Sequence, residues 1–135
     1  MQRTHGFTLI ELIIVMLIIV IMVLFVGIKL PSTSTYSLSS VTEQLRRDIR
    51  YTQTLATSLN TSYSIVISAN GYTISPPPPA GAYSVTMPTG VTLSAVSITF
   101  NSMGVPASGA TVIISASGVG TNTLTVSAET GFVNG

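Results

Sequence analysis

Gly6-Phe7-Thr8-Leu9-Ile10-Glu11 opens a run that stays apolar to Ile28 except for Thr8, Glu11 and the permissive Gly27. Glu11 is the residue there with an electrostatic demand. A carboxylate inside a membrane span costs about 3 kcal/mol on insertion scales unless something neutralises it. Two kinds of partner fit. An acid close to a helix N-terminus is favoured by the helix dipole, which needs no second molecule. Alternatively, a chain cut between Gly6 and Phe7 carries a new α-amino group four residues, about 6 Å of rise, from its own Glu11. The amine of one copy can then meet Glu11 of a staggered neighbour in a dry helix bundle. Repeated, that heterologous contact generates an open helical filament.

Little else in the chain can do chemistry. There are no cysteines, which excludes a disulfide framework and thiol chemistry, and the one histidine is His5, ahead of the apolar run. A His/Cys metal site beyond that point is excluded, and so is a Ser/His/Asp set. Charged residues are 7% of the 135, against about a quarter in an ordinary soluble domain. Without the first six residues, Lys29, Arg46, Arg47 and Arg50 balance Glu11, Glu43, Asp48 and Glu129. Such a chain gains no general attraction to nucleic acid or acidic lipid. We expect no enzyme activity, no cofactor and no metal.

The element that carries Glu11 is long. Phe7 to Ile28 makes a helix of roughly 33 Å, enough to cross a bilayer core. A secretory signal would be cut after its apolar stretch near small residues. Lys29-Leu30-Pro31-Ser32 do not fit that pattern, so the run is expected to be retained as an anchor. Arg3 and His5 ahead of the span favour a cytoplasmic N-terminus and an exported remainder, with Lys29 on the far side voting against.

The stretch Gly6-Phe7-Thr8-Leu9-Ile10-Glu11-Leu12 resembles the cleavage and methylation motif of type IV prepilins and type II secretion pseudopilins. It has a short basic leader, glycine before the cut, phenylalanine after it, glutamate at the fifth mature position and a long apolar helix at once. The resemblance implies that a membrane prepilin peptidase cuts after Gly6 and methylates the amine of Phe7, and that Glu11 guides registration into a growing filament. It also implies other pilins and an inner-membrane assembly platform as partners. The expected location is the inner membrane, single-pass, with the head in the periplasm or exterior, and then the filament. Many family members carry a proline late in the span; here Ile28 stands near that point and the proline is Pro31.

Pro31 removes a backbone donor, and Ser32 to Thr35 are indifferent helix formers, so a kink or short break is expected there. Leu38, Val41, Leu45, Ile49, Thr52, Ala56 and Leu59 then recur at three- and four-residue steps, one face of an amphipathic helix. Ser40 with Glu43 has capping-box spacing and would mark a fresh helix start. Arg46, Arg47 and Arg50 are the chain's candidate DNA contacts. Two acids, Glu43 and Asp48, sit among them, and Glu43 has the favourable i, i+4 spacing to Arg47. The net field is weak where binding needs several phosphates neutralised at once. A solvated, locally paired face is therefore the preferred reading, and nucleic acid is not an expected partner.

From Thr61 the sequence reads as short strands. Tyr63, Ile65 and Ile67 alternate, Asn70-Gly71 offers a type I′ turn, and Tyr72 and Ile74 follow. Pro76 to Pro79 must leave the sheet as a stiff connector. Further alternating runs are Tyr83-Val85-Met87, Val96-Ile98-Phe100, Val112-Ile114 and Leu124-Val126, with Phe132 last. A meander of about six or seven antiparallel strands on the apolar face of the second helix gives an α+β, pilin-like head. The expected organisation is a leader at 1–6, a transmembrane and filament-core helix at 7–30, a linker and amphipathic helix at 31–60, and an antiparallel head at 61–135.

The helix running into Ser64-Ile65-Val66-Ile67, then Ile98-Thr99-Phe100 with Gly104, and the ending Leu124-Thr125-Val126 with Gly131-Phe132-Val133, resemble the GspH/FimT minor pilin and pseudopilin family. The DNA-binding members of that family use basic residues in the C-terminal region; here Glu129 is the sole charge after Arg50, so that activity is not carried over. The cysteine pair of many major pilins is also missing. The resemblance implies a structural subunit of a type IV pilus or a type II secretion pseudopilus; a DNA-binding minor pilin for natural transformation and a major pilus subunit are the alternatives.

Overall fold

The computed structural model describes residues 7–26 and 33–135, which fall into two compact units divided after Pro31. The leader 1–6, with the predicted cleavage residue Gly6, lies outside the described residues, as does the expected kink at Pro31.

The first unit contains α1, Leu9–Val26. Its apolar side chains from Leu9 to Met22 are exposed on every face, from 45% at Ile21 to 79% at Leu9. A helix that is apolar all round has no solvent side; it suits a lipid or multi-helix environment. The 18 described residues of α1 amount to about 27 Å of rise. Among the described residues no helix is long and apolar enough to cross a membrane.

The second unit is an α+β head. Its helix α2, Thr33–Ser58, packs on two four-stranded antiparallel sheets. The strands are β1 Tyr63–Ser68, β2 Gly71–Ser75, β3 Tyr83–Thr86, β4 Val91–Leu93, β5 Val96–Phe100, β6 Ala110–Ala116, β7 Gly120–Val126 and β8 Val133–Asn134. One sheet has the order β3-β2-β1-β5 and the other β4-β6-β7-β8. Period-two alternation sends Tyr63, Ile65 and Ile67 inward from β1, opposite Phe100 and Ile98 of β5, while Val112, Ile114, Leu124 and Val126 face inward from β6 and β7. These residues meet Leu38, Val41, Leu45, Ile49 and Ala56 of α2, all buried. Buried Thr42 and Thr52 donate their hydroxyls to the carbonyl oxygens four residues back, of Leu38 and Asp48, so neither polar group is orphaned.

Several local expectations change. α2 is already helical at Thr33, so Ser40 lies inside it and caps nothing; tertiary packing of Leu38 and Val41 outweighs the poor helix propensity of the Ser/Thr run. Leu59 is 43% exposed and Leu55 takes the buried place. The helix stops in a Schellman-type turn. Asn60 sits at φ 49°, its amide bonds to the Thr57 carbonyl, and the Thr61 amide reaches the Ala56 carbonyl at 3.1 Å. The β1–β2 turn is Ala69-Asn70, because Ser68 pairs with Gly71. Gly71 is therefore not a left-handed turn residue. It is small because a Cβ there would collide with the Val85 carbonyl oxygen on β3. Among the described residues the strands number eight, because the three-residue β4 and two-residue β8 are too short to show a period. Pro76 to Pro79 do leave the sheet, between β2 and β3.

Candidate functional site

The start of α1 is set by Thr8. Its carbonyl oxygen accepts the amides of Glu11 and Leu12 at 3.1 and 3.2 Å, and its hydroxyl lies 3.4 Å from the Glu11 amide. Thr8-x-x-Glu11 has capping-box spacing, a helix-start signal legible at the motif itself and separate from the one expected at Ser40. Glu11 thus sits in the first turn, where the dipole favours its charge. Phe7 precedes the helix and is 79% exposed. The described part of the motif therefore presents a non-helical Phe7 and, one turn on, a carboxylate among apolar side chains.

The three arginines of α2 do not act alike. Arg46 donates to Glu43 at 2.9 Å and also to the Gly135 carbonyl oxygen, so the ion pair runs i, i+3 instead of the expected Glu43–Arg47. Arg50 stands over the Phe132 ring, its guanidinium carbon 5.8 Å from the centroid. Arg47 is exposed and has no ion-pair partner among the described residues.

Asp48, expected from its neighbours to be one of the acids screening these arginines, is instead buried against the β2–β3 hairpin. One carboxylate oxygen accepts the hydroxyls of Tyr72 at 2.6 Å and Tyr83 at 2.9 Å, and Tyr51 packs beside Tyr83 with centroids 6.1 Å apart. Burial, then the hydrogen bond to Asp48 and its charge, raise both tyrosine pKa values, with Arg47 pulling them slightly down. The spacing Val41-Leu45-Asp48-Thr52 is the signal that could have placed Asp48 on the buried face. A buried carboxylate whose one oxygen accepts two phenol hydroxyls is a structural clasp between α2 and the β2–β3 hairpin. Among the described residues no cluster of three or more His, Cys, Asp or Glu could hold a metal.

Residues 1–27 match the family described as the prokaryotic N-terminal methylation motif. No curated protein matches the chain. Among solved structures it is similar to the type IV minor pilin FimU of Pseudomonas aeruginosa in two crystal forms. One has a TM-score of 0.62 at 21% identity, covering 77% of this chain and 91% of that one. The other has a TM-score of 0.58 at 22% identity, covering 72% and 90%. At that identity the likeness establishes the fold. The chain thus joins a prokaryotic N-terminal methylation motif, over residues 1–27, to a pilin-like α+β fold.

Proposed function

We propose that the chain is a minor pilin or pseudopilin, a structural subunit cut between Gly6 and Phe7, methylated on Phe7 and then drawn from the inner membrane into a filament. The observation that carries this reading is α1: a helix apolar and exposed on every face, headed by the methylation motif. Such a helix needs lipid first and other helices later. In the filament, Glu11 would pair with the Phe7 amine of a neighbouring subunit, offsetting the cost of a carboxylate in an apolar core. Prepilin peptidase, an assembly platform and sister pilins are the partners this requires.

Two substitutions test it. Gly6→Leu is expected to leave unprocessed precursor on a gel when the protein is made with its peptidase; normal processing would overturn the motif assignment. Glu11→Ala is expected to be cleaved normally but to reach sheared filaments at least about tenfold less, the scale of losing a charge pair worth about 1.4 kcal/mol. Unchanged incorporation would mean that the span alone drives assembly. Crosslinked neighbours, identified by mass, distinguish a pilus from a secretion pseudopilus.

A further inference from the structure

Tyr51 of α2 and Tyr83 of β3 form a pair that the filament reading leaves unused. Their ring centroids are 6.1 Å apart with the planes at 53°, within the range of an ordinary packed aromatic pair. Its surroundings add a chemistry that packing does not need. The chain has no tryptophan and no cysteine, the side chains that otherwise give up one electron most readily, so an electron hole in it settles on tyrosine. Tyr63 and Tyr72 are buried, whereas Tyr51 is 38% exposed and Tyr83 partly exposed. Tyr83 also donates its hydroxyl to Asp48 Oδ2 at 2.9 Å. A phenol oxidised at neutral pH sheds its proton as it loses its electron, and Asp48 is a base already in place for it. Arg47 lies one turn before Tyr51 on α2, and its charge is felt at Tyr83, which favours the approach of an anion.

We propose that Tyr51 and Tyr83 are an oxidative cross-linking site, joined ring to ring as dityrosine within one chain by a small anionic one-electron oxidant of the carbonate-radical class. Two carbonate radicals each take one electron and become carbonate. Tyr83 passes its phenol proton to Asp48, and Tyr51 passes its own to water. Side chains as exposed as Tyr51 reorient in picoseconds to nanoseconds, which brings the two phenoxyl radicals into contact. They join through ring carbons ortho to oxygen, forming one C–C bond. The hydrogen on each joined carbon then leaves as a proton, and each oxygen regains one. The net loss is two electrons and two protons. The bond runs from α2 to β3, the outer strand of its sheet, and so pins that edge to the helix. It does not depend on the subunit reading above.

The test uses the full-length protein in detergent micelles, with carbonate radical made by photolysing persulfate in bicarbonate buffer. The expected product runs as a monomer on a denaturing gel, shows dityrosine fluorescence and is two hydrogens lighter by mass. Its digest is expected to hold one cross-linked peptide pair, carrying Tyr51 and Tyr83. Tyr51→Phe and Tyr83→Phe keep the ring packing and are expected to lose the product entirely. Asp48→Asn, with no carboxylate to take the proton, is expected to form the bond at least about tenfold more slowly, a modest share of what a placed base contributes. If Asp48→Asn does not fold, the two phenylalanine variants decide the pair. The bonded protein is expected to unfold at higher denaturant concentration, because the bond restricts the unfolded chain. Dityrosine in either phenylalanine variant, coupling through Tyr36, Tyr63 or Tyr72, covalent dimers as the main product, or oxygen added at Met103 without dityrosine each overturn the site. A folded Asp48→Asn that reacts at the parent's rate overturns it as well. None of these outcomes bears on processing at Gly6 or entry into filaments, which test the subunit reading separately.

Discussion

At the scale of single residues, the Asp48 clasp makes a pH prediction with a defined sign. Tyr72 and Tyr83 have folded-state pKa values raised by burial and by Asp48, whereas unfolded tyrosine titrates near pH 10. Above that pH the unfolded chain releases protons that the folded chain keeps, so stability is full below about pH 10 and falls as pH rises further. Denaturant titrations of the head between pH 7 and 11 are expected to show that decline. In Tyr72→Phe it should be shallower, with the neutral-pH stability lower by about 1–3 kcal/mol for the lost bond to a charged acceptor. A decline of equal slope in both proteins would assign the alkaline loss elsewhere. Asp48 shows how far one residue's role is legible in sequence. Its type and its arginine neighbours argue for solvent and its helical spacing for the buried face, while the partners that satisfy it there lie 24 and 35 residues away along the chain. Glu11 is the opposite case, because an acid within an apolar run is conspicuous from the order of residues alone.

At the scale of elements, what is legible is what repeats. The three-and-four spacing of Leu38, Val41, Leu45, Ile49 and Ala56 identifies the buried face of α2, and alternation identifies β1, β2, β5, β6 and β7. The division into two sheets is not legible, because alternation says which face of a strand is buried and not which strand lies beside it. The turn expected at Asn70-Gly71 falls one residue earlier because Gly71 answers to β3 across the sheet, a non-local demand. The loops held on α2 by the Gln53 side-chain amide, which donates to the carbonyl oxygens of Gly104 and Thr130, give an element-scale prediction. Gly131→Ala must place a methyl at φ 70° within 2.6 Å of Gln53 Nε2 and 2.9 Å of Phe100. It is expected to destabilise the head by at least about 1–2 kcal/mol from backbone strain alone. It should also speed hydrogen exchange in the loops around residues 104 and 131. Unaltered exchange there would show that Gln53 does not hold them.

At the scale of the whole molecule, every buried core residue described lies between Leu38 and Val133. Among the described residues of the head, these side chains form one core within the second unit. Residues 33–135 made alone are therefore expected to remain soluble and unfold in one cooperative transition; a broad, non-cooperative melt would show that the head needs the first helix. The head also spreads its contacts in a particular way. α2 packs on β1 and β5 of one sheet and on β6, β7 and β8 of the other. Tension entering the head along the chain arrives at Thr33, the first residue of that helix. Drawing α2 out endwise must therefore shear it from both sheets at once, with the two sets of contacts loaded in parallel. The head is thus built to bear axial force through its helix, and its weak direction is the peeling of a sheet edge, which a pull on α2 does not apply.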